Sequence, residues 1–143
     1  MRICFDIGGA FYPGASDETN ALVLQHLLEC LVGINKIFLA SHPRTPKLYQ
    51  SGVRYVRTEV WDSIPDLYKR RYGDCKSLTA AYVAELRMAK QKATPVFRFM
   101  TNPRTGQKDF HILVQRGKVF EDPSRVLGMD QYHAMMGTWA FPQ

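Results

Sequence analysis

The sequence predicts an α+β domain in which helices pack against an antiparallel sheet. Three observations carry that reading. Apolar residues recur every three or four positions from Leu24 to Phe38, a second helical repeat starts beside Cys75, and the chain from Thr94 to Asp122 is extended and broken by turns. With 143 residues and 45% hydrophobic content the chain can bury a sizeable core, and it is short for two domains. We therefore expect one domain, with a helical part at about 16–42, a core at about 53–129 and an apolar tail at 130–143.

Ser16 or Asp17 can cap the first helix, in which Leu24, Leu28, Leu31, Ile34 and Phe38 form the buried stripe before His42-Pro43 ends it; Gly33 is a place for a kink. Pro43, Pro46 and Gly52 mark a loop ahead of the alternating, extended stretch Val53 to Arg57. Ser63, with Pro65 two positions on, opens a short helix through Tyr68 that ends at Gly73. After Gly73-Asp74-Cys75, the residues Leu78, Tyr82, Leu86 and Ala89 fall at helical spacing. Thr94 to Met100 reads as a strand, and Thr101 to Lys108, rich in Gly, Pro and basic residues, as a mobile loop suited to border a cleft. At the end of the chain Asp130 to Met136 reads as a helix. Gly128-Met129, Met135, Met136, Trp139 and Phe141 either fold it back on the domain or form a docking cluster.

The chemistry starts at Gly73-Asp74-Cys75. Asp74 is a good N-cap, so Cys75 falls in a first helical turn, where unpaired N–H groups and the helix dipole favour a thiolate. Downstream, Phe110 to Gln115 and Lys118 to Asp122 read as a hairpin around an Arg116-Gly117 turn. Counting outward pairs Gln115 with Lys118, Val114 with Val119, Leu113 with Phe120, Ile112 with Glu121, and His111 with Asp122. Directly opposed residues have Cβ atoms about 4.5–5.5 Å apart on one face, close enough for an imidazole to meet a carboxylate. Asp122 would then fix the tautomer of His111 and leave its other nitrogen for Cys75, the logic of a nucleophilic triad.

Other candidates carry less. Cys4 and Cys30 read as small buried hydrophobes, and His26, His42 and His133 as structural or surface residues without a partner in sequence. Trp61 is either an indole N–H donor for a developing oxyanion in the cleft or an aromatic cover for the core. Glu59 either stabilises a basic neighbour or lines the cleft, and takes no assigned role. Three widely spaced cysteines make no metal pattern and no closed disulfide framework, which points to a reducing compartment. No metal and no cofactor is expected. Residues 1–15 lack a charged-then-apolar leader, and the apolar run Ala21 to Val32 is broken by Gln25, His26 and Glu29, so neither a signal peptide nor a membrane span is expected. The net charge of +6 is dispersed, which reads as solvated surface rather than a nucleic-acid footprint.

The ordered set Trp61, Tyr72-Gly73-Asp74-Cys75-Lys76-Ser77-Leu78, Val83-Ala84-Glu85-Leu86-Arg87, His111 and Glu121-Asp122-Pro123-Ser124-Arg125-Val126-Leu127-Gly128-Met129 resembles the transglutaminase-like cysteine peptidase superfamily, and within it small transglutaminase-like proteins of tailed phages. The resemblance spans about residues 50–130 and implies a papain-like core with Cys75 as nucleophile, His111 as general base and acid, and Asp122 as its orienter. It implies acyl transfer on a protein or peptide substrate through a thioester resolved by water or an amine, in a phage protein found in the host cytoplasm or the virion. The alternative, which the resemblance and the apolar tail together support, is a non-enzymatic head or neck accessory protein that contacts phage structural proteins. Lys76 stands where many relatives look acidic.

Overall fold

The computed structural model describes residues 2, 4, 16–138 and 141. Helix α1 (Asp17–Ser41) starts where Ser16 accepts the Thr19 N–H at 3.1 Å, with Asp17 and Glu18 favourably placed in the first turn. It runs on through Gly33. Its buried stripe is Leu24, Leu28, Leu31, Val32 and Asn35, whereas Ile34 is 53% exposed. The stripe is thus rotated from the expected one, because Asn35 is drawn inward: its Oδ1 accepts the Ile64 N–H at 2.8 Å. Cys30 lies on the outer side of α1 and Cys4 is also exposed, so neither is the core residue expected from composition. By length and composition α1 could also cross a membrane, with a mean hydropathy of 1.5 in its most apolar window. Here Leu28, Leu31 and Val32 pack in the core.

A 3₁₀ turn (Leu48–Gln50), strand β1 (Arg54–Tyr55), helix α2 (Ile64–Arg70) and strand β2 (Tyr72–Gly73) lead to helix α3 (Cys75–Met88). The two short strands pair in parallel, Tyr55 with Gly73, a pairing not foreseen from the sequence. Asp74 caps α3 as expected, its Oδ1 accepting the Lys76 N–H at 3.2 Å. The helix is buried on nearly every side, and Ala80, Ala81 and Ala84 let its neighbours approach closely. One apolar cluster joins Leu28, Leu31 and Val32 of α1 to Ala80, Val83 and Ala84 and to Ile112 and Val114. Another joins Leu78 and Ala81 to Val53, Ile64, Leu67, Leu127 and Met129.

Strands β3 (Thr94–Thr101), β4 (Lys108–Arg116) and β5 (Val119–Glu121) form an antiparallel sheet with β4 in the centre. The α+β class expected from the sequence stands. Alternation along β4 sets His111 and Leu113 on one face and Ile112 and Val114 on the other, toward α3 and α1. Residues 102–107 close a hairpin, with the Asn102 N–H bonded to the Gln107 carbonyl at 2.8 Å, and they line neither of the two cavities found at the sheet.

The expected hairpin register needs correction. Arg116 pairs with Val119, Gln115 with Phe120 and Val114 with Glu121, so the loop is Gly117-Lys118 and not Arg116-Gly117. Gly117 has φ +60° and sits first in the loop, where a glycine-first two-residue turn needs it. Moving the turn by one position shifts the pairing by two. An even shift preserves side-chain parity, so Asp122 stays on the His111 face although it is not directly opposite.

The chain closes with α4 (Pro123–Val126), capped by Asp122, and α5 (Met129–Met136). Met129 and His133 are buried, as expected if α5 folds back on the domain, while Met135 is 80% exposed. Trp139 lies outside the described residues.

Candidate active site

Cys75 occupies the first position of α3, where the backbone N–H groups have no intrahelical partners. The side chain is only 6% exposed. Burial pushes the thiol up, with the Asp74 charge acting in the same direction; the Lys76 ammonium and the Ile112 backbone N–H oppose them without prevailing. The thiolate expected from a helix N-terminus alone is therefore not the resting form.

Lys76 is turned inward. It forms a buried ion pair with Asp74 and donates to the Thr58 carbonyl at 2.8 Å, while the Thr58 N–H reaches Asp74 Oδ2 at 3.4 Å. Burial raises the Asp74 carboxyl even so, the Lys76 charge pulling against it. These contacts fasten the segment after β1 to the start of α3. They also pair the Lys76 charge inside the protein, at the wall of the cavity that holds Cys75.

His111 is 5% exposed, and its Nε2 meets Asp122 Oδ2 at 2.8 Å. The Asp122 Oδ1 accepts the Arg125 N–H at 3.3 Å as the α4 cap, which fixes the carboxylate from its other side. Cys75 and His111 line one cavity of about 170 Å³, with Cys75 alongside the backbone of Ile112, the residue next to His111. The fold thus brings together the three residues singled out in the sequence. Trp61 lines the same cavity and also packs against the apolar cluster that contains Cys75, so its ring belongs to both the cleft and the core.

Sequence reading missed several cleft residues. Tyr55 and His133 line the cavity and are buried, with ring centroids 5.7 Å apart. His133 is held by Thr138 Oγ1 at 2.7 Å from Nδ1, and burial together with the Arg57 charge lowers its pKa. Arg57 and Asp109, paired at 2.6 Å, also line the cavity, as does Glu59, for which the cleft was one of the two expected places. Phe141 lies over His111 with centroids 5.3 Å apart, and its carbonyl accepts from Arg125 at 2.9 Å. A second hollow of about 360 Å³ adjoins at His111, between Arg98, Leu113 and Phe141. No local pattern marks Tyr55 or His133, because both reach the cleft from elements distant in sequence. Among the described residues no three His, Cys, Asp or Glu side chains converge as a metal site.

Compared with known proteins, the chain matches no family model, no curated protein and no solved structure.

Proposed function

We propose that the protein is a cysteine acyl-transfer enzyme of the transglutaminase-like kind, with a papain-like core, acting on a protein or peptide substrate. The observation that carries this reading is the His111 to Asp122 hydrogen bond of 2.8 Å at the edge of a cavity shared with Cys75. With Nε2–H donated to Asp122, the unprotonated Nδ1 of His111 is left to accept a proton. Because burial holds the thiol neutral, His111 acts as a general base when substrate is bound rather than as partner to a standing thiolate.

Cys75 Sγ attacks a carboxamide or peptide carbonyl as its proton passes to His111. The tetrahedral intermediate collapses to a thioester, the leaving amine takes the proton from His111, and water or an amine then resolves the thioester. Water gives a peptidase or isopeptidase, and an amine gives a transamidase. The test uses p-nitrophenyl acetate on a protein carrying Cys4→Ser and Cys30→Ser, which removes the two exposed thiols: that protein releases a burst of p-nitrophenolate and carries the acetyl group on Cys75, and adding Cys75→Ala abolishes both. A burst that survives Cys75→Ala contradicts the proposal.

A second reading, a phage head or neck accessory protein, is favoured by the exposed apolar residues Val126, Met135 and Met136 around α4 and α5. It predicts that the protein co-purifies with phage particles at fixed stoichiometry, whether or not Cys75 is intact.

A further inference from the structure

We propose that Tyr55 is a catalytic residue whose phenolic O–H donates to the oxyanion formed when Cys75 attacks a carbonyl. This inference rests on the acyl-transfer reading above. Backbone pairing places Tyr55 beside the nucleophile: its Cα is in register with Gly73, two residues before Cys75, and its N–H is held by the Leu127 carbonyl at 2.9 Å. The ring is locked edge-on against Tyr132, with centroids 5.4 Å apart, and against His133. Although the residue is only 8% exposed, its hydroxyl has no hydrogen-bond partner among the described residues and is not one of the sealed, unpaired polar atoms. It therefore opens on the cavity that holds Cys75. A buried phenol left without a partner is costly unless something visits it. Burial raises the Tyr55 pKa, so the phenol stays protonated and able to donate. The backbone N–H of Cys75, unpaired in the first turn of α3, is the natural second donor.

In the step concerned, the Sγ–carbon bond forms, the carbonyl π pair moves onto oxygen, and the thiol proton goes to His111. Tyr55 supplies a hydrogen bond and gives up no proton. Collapse of the intermediate re-forms the carbonyl and expels the leaving group.

The test compares two reactions of Cys75. Acylation by p-nitrophenyl acetate develops an oxyanion, whereas alkylation by iodoacetamide displaces iodide and develops none. Tyr55→Phe keeps the ring, so it should slow acylation by about 10²-fold and leave the alkylation rate unchanged. Unchanged acylation overturns the inference. So does equal slowing of both reactions, which would make Tyr55 a residue that only shapes or tunes the thiol. A parent protein in which p-nitrophenyl acetate never acylates Cys75 overturns the acyl-transfer reading itself, a result distinct from either.

Discussion

The Asp122 carboxylate holds His111 with one oxygen, at 2.8 Å, and caps α4 with the other, at 3.3 Å from the Arg125 nitrogen. Site geometry and local folding are therefore tied to one side chain, and two substitutions should separate them. Asp122→Asn retains a good cap and should cost little stability, whereas Asp122→Ala loses the cap and should cost about 1 kcal/mol in urea unfolding. Both should disable His111 to a similar extent in Cys75 acylation, since neither carries the carboxylate that selects the tautomer.

Burial of Cys75 makes a pH prediction. The folded thiol is raised above its ordinary value of 9.0, so iodoacetamide labelling of Cys75, followed by peptide mass spectrometry, should titrate above the range of the urea-unfolded chain. Exposed Cys30 serves as the internal comparison and should label first. The sign for stability follows from proton binding: between the unfolded and folded values the native state holds the proton more tightly. Stability should therefore fall as pH rises past about 9, and Cys75→Ala should flatten that fall.

Lys76 and Asp74 are both almost fully buried, so removing one charge leaves the other unpaired. Lys76→Met should destabilise by about 3 kcal/mol at pH 7 in urea unfolding. Adding Asp74→Asn should recover much of that loss, because Asn still caps α3. The penalty of the single variant should shrink toward acid pH, where the raised Asp74 carboxyl becomes neutral.

A Cβ built on Gly73 would lie 2.6 Å from Leu67 Cδ1 and 3.3 Å from Ser77 Cβ. Leu67 is fully buried and cannot swing away into solvent. Gly73→Ala should thus cost about 1–3 kcal/mol of stability in urea unfolding and displace the start of α3. The glycine serves close packing between α2 and α3.

The start of α3 was legible because a cap is local chemistry: Asp74 needs only the N–H two residues on. The meeting of His111 and Asp122 was legible through the period-two rule of strands, which survived a turn placed one position too early. That misplacement has a plain cause, since Gly117 can serve as either residue of a two-residue loop and only the tertiary pairing selects the first. Long-range packing was not legible. Asn35 lies on the buried face of α1 and bonds to Ile64, 29 residues away, and Cys30 lies on the exposed side. Tyr55 and His133 reach the cleft through a parallel strand pair and a C-terminal helix that have no signature near Cys75. Nor does the first-turn motif reveal the depth of burial that keeps the thiol neutral.

Whether Cys75, His111 and Asp122 act as one acyl-transfer unit is decided by the rate of Cys75 acylation by p-nitrophenyl acetate in the parent and in His111→Ala. A neutral thiol that depends on His111 to take its proton predicts one acetyl group on Cys75 per chain in the parent and a rate of Cys75 acylation about 10²- to 10⁴-fold lower in His111→Ala. Equal rates in the two proteins would contradict the account and reduce the pairing of His111 with Asp122 to a structural contact.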